Sequence, residues 1–129
     1  MAPRRLLIVD DEGALLVLMK RYLTRAGYEV DGCARGADAW NRFDAAPRGY
    51  SAVIVDLSLP DISGYDLIER MRARFPALRA VICSGTPVAE SPCETGCTAY
   101  LQKPFLPKML LEVVDRVTGA AARAAGAGA

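Results

Sequence analysis

Tyr-Ser-Ala-Val-Ile-Val-Asp-Leu, residues 50–57, is apolar almost throughout and carries its one charge near the end, at Asp56. A strand with one wet face alternates apolar and polar residues, whereas a nearly unbroken apolar run suits a parallel strand covered by helices on both sides. The same pattern recurs on either side of it. Residues 6–9 run apolar into Asp10 and Asp11, residues 78–83 into Ser84, and residues 98–102 end at Lys103, while residues 28–34 read as one further strand.

Helical patterns separate these runs. Across residues 12–26, Leu15, Leu18, Met19, Tyr22, Leu23 and Ala26 recur at intervals of three and four, which predicts a helix with one buried face, ended by Gly27. Ala37, Trp40 and Phe43 mark a second helix over residues 36–46, stopped by Pro47. Ser63 offers an N-cap with Asp66 three residues on, and Leu67, Ile68, Met71 and Phe75 supply the stripe of a third, ended by Pro76. Pro107 opens a last helix with Leu110, Val113, Val114 and Val117 inward. Five alternating β and α units predict an α/β fold: a doubly wound parallel sheet with right-handed crossovers and helices on both faces. Residues 85–97, interrupted by Pro87 and Pro92, leave room for a short or irregular fourth helix or a loop.

The 129 residues suit one domain. With 16 basic and 15 acidic residues the net charge is +1, which gives no electrostatic footprint for nucleic acid or an anionic membrane. Residues 1–5 lack an apolar signal core, and no apolar stretch approaches the ~20 residues that cross a bilayer. A soluble cytoplasmic protein is expected. Cys33 and Cys83 fall in strand runs and read as small buried hydrophobes, as Trp40 and the methionines read as core. Cys93 and Cys97, spaced C-x3-C in a Pro- and Gly-containing segment, are a candidate disulfide or metal pair, but the chain has no histidine and no second close cysteine pair for a zinc site. Without histidine the chain has no imidazole base and no phosphohistidine of its own.

In an open parallel sheet the carboxyl ends of the strands form one rim, and ligands bind there. Asp10, Asp11, Asp56, Ser84 and Lys103 would meet at that rim. Three carboxylates, a hydroxyl and an ammonium suit a hard cation, an acceptor carboxylate and a charge that neutralises phosphate, so the pattern points to an aspartate that becomes phosphorylated. Taken singly, each residue has a plainer reading: Asp11 as an N-cap, Asp56 as a strand terminator, Ser84 as a turn former and Lys103 as a solvated charge.

Residues 4–118 resemble the receiver domain of two-component response regulators. The matching stretches are Leu-Leu-Ile-Val-Asp-Asp-Glu (6–12), Val-Ile-Val-Asp-Leu-Ser-Leu-Pro-Asp-Ile-Ser-Gly-Tyr-Asp-Leu (53–67), Cys-Ser-Gly (83–85) and Tyr-Leu-Gln-Lys-Pro-Phe (100–105). The resemblance implies a flavodoxin-like five-stranded sheet in the order 2-1-3-4-5. It implies Asp56 as phosphoacceptor, and Mg²⁺ held by Asp11 and Asp56, by Asp10 directly or through water, and by the main-chain carbonyl of Ser58. It also implies Lys103 and Ser84 as partners of the phosphoryl group, Gly85 as room for it, Ser84 with Tyr100 as the conformational switch, and Pro60, Gly64 and Pro104 as loop positions, Pro104 often after a cis bond.

The partners so implied are a histidine kinase or phosphotransfer protein upstream and a downstream protein target or attached domain. The chain then reads as a receiver over residues 1–118 followed by an Ala/Gly-rich tail over residues 119–129, a frayed helix end or linker. It acts as a signalling domain whose only chemistry is self-phosphorylation and slow self-dephosphorylation. Two rival functions use the same residues. One is a degenerate receiver that binds without phosphorylation. The other is a phosphatase with an aspartyl-phosphate intermediate, but where such hydrolases carry a second aspartate as general acid this chain has Ser58.

Overall fold

The computed structural model describes residues 4–86 and 98–119. Five strands, β1 (Arg5–Val9), β2 (Glu29–Cys33), β3 (Ala52–Asp56), β4 (Ala80–Ser84) and β5 (Thr98–Gln102), pair in parallel in the order β2-β1-β3-β4-β5. Between and after them lie α1 (Gly13–Arg25), α2 (Gly36–Ala45), α3 (Gly64–Arg74) and α4 (Pro107–Thr118). This is the predicted doubly wound arrangement. The short or irregular helix expected between β4 and β5 falls on residues outside the described ones, as do the tail after Gly119 and the pair Cys93 and Cys97.

Side-chain alternation along the strands divides the core in two. Leu6, Ile8, Ile54 and Val81 point to the side closed by Met19 and Leu23 of α1 and Leu110, Val114 and Val117 of α4. Leu7, Val9, Val53, Val55 and Ile82 point to the opposite side, closed by Ala39 and Phe43 of α2 and Leu67, Ile68 and Met71 of α3. β3 is buried at every position, as its apolar sequence requires. Cys33 and Cys83 are buried free thiols, and burial pushes the Cys83 thiol up to about 12.

Several details correct the sequence reading. Leu18, expected inward, is 61% exposed beside Val17. The buried stripe of α1 is centred on Met19 and Leu23, and Leu18 lies about 100° round the helix from Met19, on the solvent side. Met109 is likewise displaced by one residue from the Leu110, Val114, Val117 stripe and is exposed, not core. In α2 the stripe runs through Gly36, Ala39 and Phe43, which leaves Ala37 exposed and Trp40 half-buried under the Arg70 guanidinium, 4.5 Å from its ring centre. Ser63 does cap α3, its hydroxyl accepting the Asp66 N–H at 3.3 Å.

Candidate functional site

Strand register assembles the site. β1 and β3 are paired with Val9 opposite Val55, so the next residues, Asp10 and Asp56, emerge side by side where the order of the sheet reverses. Asp56 faces Cys83 of β4, and Ser84 faces Gln102 of β5, which brings Lys103 to the same rim. Carboxylate oxygens of Asp10, Asp11 and Asp56 all lie within 4.8 Å of one another. The Lys103 ammonium donates to Asp10 Oδ2 at 2.9 Å and lies 3.4 Å from Asp56 Oδ2.

Burial differs among the three acids. Asp10 and Asp56 are 1% and 7% exposed, while Asp11 faces solvent. Asp10 Oδ1 accepts the Glu12 N–H at 2.9 Å, so the turn into α1 is served by Asp10 and not by Asp11, whose side chain stays available at the rim. Burial raises the Asp56 carboxyl above its ordinary pKa and the Asp10 charge adds to the rise, against the opposing Ser58 N–H and Lys103 ammonium. Burial alone would lower the Lys103 ammonium. Its hydrogen bond and charge pairing with Asp10 and Asp56 outweigh that, and its pKa is raised. Three hard oxygen donors, one open to water, form a set that suits a small divalent cation.

The other predicted positions cluster around this centre. The Ser58 N–H donates to Asp56 Oδ1 at 3.2 Å. A Cβ on Gly64 would stand 2.6 Å from the Asp56 carbonyl oxygen and 2.9 Å from Leu57 Cα, so only glycine lets the start of α3 approach the acceptor strand this closely. Pro60 is exposed in the loop between them, and Gly85 is exposed with open space where a Cβ would be. The Lys103–Pro104 peptide is cis. Ser84 is buried at the end of β4, and its hydroxyl is engaged with Thr86, accepting the Thr86 N–H at 3.2 Å and meeting Thr86 Oγ1 at 3.1 Å. Tyr100 is half-buried on β5 and packs with the core on the α2 and α3 side.

Two relationships escape the sequence reading. The sequence assigns Lys103 to phosphate, whereas its shortest contact is with Asp10. Asp61, which no motif singles out, accepts the Gly36 N–H and the Ala37 N–H, each at 2.9 Å. A signal exists for the second: the residue before α2 is Arg35, so the helix lacks an N-cap side chain of its own and its first donors need an acceptor from elsewhere.

A parallel sheet in the order β2-β1-β3-β4-β5 with an acidic rim at its switch point defines the class, a flavodoxin-like α/β domain. The chain belongs to the response regulator receiver domain family, whose model matches residues 6–115. Chemotaxis protein CheY1 of Helicobacter pylori is 31% identical over 121 residues, spanning 89% of this chain and 97% of the relative. A CheY-like receiver domain protein from Methanospirillum hungatei superposes with a TM-score of 0.81 at 27% identity, covering 94% of this chain and 98% of that one. Response regulator TrrA of Thermotoga maritima, solved in complex with Mg²⁺-BeF, superposes with a TM-score of 0.77 at 28% identity, covering 88% and 98%. The protein is thus a receiver domain of two-component signalling, and its described residues include no helix long and apolar enough to cross a membrane.

Proposed function

We propose that Asp56 accepts a phosphoryl group from the phosphohistidine of a partner kinase or phosphotransfer protein, and that the modified domain changes shape to control a downstream protein or an attached domain. The observation that carries this reading is the convergence of Asp10, Asp11 and Asp56 oxygens within 4.8 Å, with the Lys103 ammonium on their flank.

Asp56 attacks phosphorus as a carboxylate. The new bond joins an Asp56 oxygen to phosphorus, the P–N bond of the donor breaks, and its electron pair stays on the donor imidazole. Such a transfer leaves the protein mainly positioning and charge stabilisation to perform. Asp11, Asp10, Asp56 and the Ser58 carbonyl would hold a magnesium ion, which would supply positive charge to offset that of the phosphoryl group. The Ser58 N–H holds one Asp56 oxygen, and Lys103 keeps an ammonium beside the other. Gly85 leaves the approach to the phosphoryl group open, and Pro60, Gly64 and Pro104 shape the surrounding loops.

The switch begins at Ser84, whose hydroxyl exchanges Thr86 for a phosphoryl oxygen while Tyr100 turns inward. A hydrogen bond to a charged group is worth about 1.5–3 kcal/mol, enough to move a two-state equilibrium by one to two decades. Residues 1–118 form the receiver in this reading. The domain is a cytoplasmic substrate of its kinase, with slow self-dephosphorylation and no turnover of outside substrates.

Phosphoramidate, whose P–N bond imitates that of phosphohistidine, tests the reading. With Mg²⁺ the protein should take up at most one phosphoryl group per chain and release phosphate slowly. Rapid turnover of phosphate esters, or no uptake from phosphoramidate or from a panel of phosphorylated histidine kinases, would contradict it.

A further inference from the structure

We infer that Asp61 is a positioning residue for the acceptor site: reaching from the loop after β3 to the amino end of α2, it fixes the backbone that carries Ser58 beside Asp56. The inference rests on the phosphoacceptor reading of that site. It is carried by how this loop is held.

Asp61 Oδ1 accepts the Gly36 N–H and Oδ2 the Ala37 N–H, both at 2.9 Å, so one carboxylate satisfies two first-turn donors of a helix some 25 residues earlier in the chain. Arg35 at the N-cap of α2 makes no side-chain cap bond. The loop and the helix also touch closely, because a Cβ added to Gly36 would overlap the Ile62 side chain. At its start the loop is held to β4 by the Leu57 N–H to the Cys83 carbonyl at 2.8 Å, and Leu57, Leu59 and Ile62 pack on the core. Its other hydrogen bonds are local: the bridge between Ser58 and Ser63, the Gly64 N–H to the Leu57 carbonyl at 2.9 Å, and the Ser58 N–H to Asp56 Oδ1 at 3.2 Å. Asp61 therefore ties the stretch that faces the acceptor to a separate element packed on the sheet.

The tether does not depend on ordinary changes of pH. The Gly36 and Ala37 N–H groups hold the Asp61 carboxyl below the usual carboxylate range, and a carboxylate at a helix amino end is favoured by the helix dipole as well. Without it, the loop would keep its internal hydrogen bonds and its Ile62 contact but lose the two hydrogen bonds that fix its backbone against α2. Ser58 would then orient both Asp56 and a cation less well. This is the role of outer groups that aim direct ligands without touching the metal, whose removal typically costs about tenfold or more in affinity.

The experiment separates positioning from simple helix capping. Mg²⁺ is titrated calorimetrically, with no phosphodonor, into the native protein, Asp61→Ala, Asp61→Asn and the double variant Arg35→Ser/Asp61→Ala, in which the introduced hydroxyl gives α2 a cap of its own. Melting temperatures and adduct formation from acetyl phosphate are measured alongside. Asp61→Ala should weaken Mg²⁺ binding about tenfold, with a smaller loss of phosphorylation rate at saturating Mg²⁺, and Asp61→Asn, which keeps one acceptor, should fall between. The double variant should recover the melting temperature but not the Mg²⁺ affinity. Native Mg²⁺ affinity in Asp61→Ala, or recovery of affinity together with stability in the double variant, would reduce Asp61 to a helix cap. A native protein that takes no phosphoryl group would overturn the acceptor reading itself, and this inference with it.

Discussion

Lys103 leans on Asp10 more closely than on Asp56: its ammonium is 2.9 Å from Asp10 Oδ2 and 3.4 Å from Asp56 Oδ2. Asp10 is 1% exposed, so Lys103 is the counter-charge that makes its burial tolerable. Lys103→Met should lower stability by about 1–3 kcal/mol in metal-free buffer, because a buried carboxylate loses its partner. Chemical denaturation with and without Mg²⁺ checks this, and the deficit should shrink when Mg²⁺ is added. An equal deficit in both conditions would show that the charge balance of the rim is not the cause.

Asp11 is the solvent-facing member of the acidic cluster. Mg²⁺ should raise the melting temperature of the native protein, since a ligand that binds only the folded state stabilises it. In Asp11→Asn the rise should be clearly smaller at the same Mg²⁺ concentration. Equal rises, measured by calorimetry, would count against Asp11 as a ligand.

Gly64 and Gly13 make a matched pair. A Cβ at Gly64 meets the Asp56 carbonyl oxygen at 2.6 Å, whereas one at Gly13 meets nothing within 4 Å. Gly64→Ala should destabilise by about 1–3 kcal/mol through forced backbone movement. Gly13→Ala, in the first turn of α1, should be neutral or stabilising by up to about 1 kcal/mol. Urea denaturation of the two variants reads the contrast directly.

The Asp31 network gives the fold a signature at both ends of the pH scale. Asp31 Oδ2 accepts the Tyr50 hydroxyl at 2.7 Å and pairs with Arg5 Nη2 at 2.8 Å. Burial would raise the Asp31 carboxyl, but Tyr50 and Arg5 outweigh it and its pKa is lowered. Its contribution is therefore present above the unfolded value of about 3.9 and lost as pH falls through the folded one. Burial and the neighbouring Asp31 push the Tyr50 phenol up to about 12, so its contribution holds below an unfolded value of about 10 and is lost as pH rises toward 12. The stability gap between the native protein and Tyr50→Phe should be level from about pH 6 to 9 and shrink on both sides. A gap that stays constant from acid to alkali would refute the coupling.

How much of this was legible in the sequence follows from the kind of signal each feature leaves. The buried strands and their polar ends could be read because a parallel strand covered on both faces is a local pattern, as residues 50–57 show, and its terminal residue lands on the rim. Asp10, Asp56 and Lys103 needed only the strand order to come together. The exposure of Leu18 could not be read, because an apolar residue at the margin of a helical stripe fits the period whether or not the neighbouring element reaches it. Asp61 left no periodic mark, since it lies in a loop, its partners Gly36 and Ala37 belong to α2, and only packing brings them near. The choice of Lys103 between Asp10 and Asp56 is a matter of tenths of an ångström, set by backbone register and not by residue type.

The central claim is that Asp56 is the phosphoacceptor, and the mass of the intact chain after incubation with Mg²⁺ and acetyl phosphate tests it most directly. A single added phosphoryl group in the native protein and none in Asp56→Ala is the expected result. An adduct that persists in Asp56→Ala, or a native chain of unchanged mass, would contradict it.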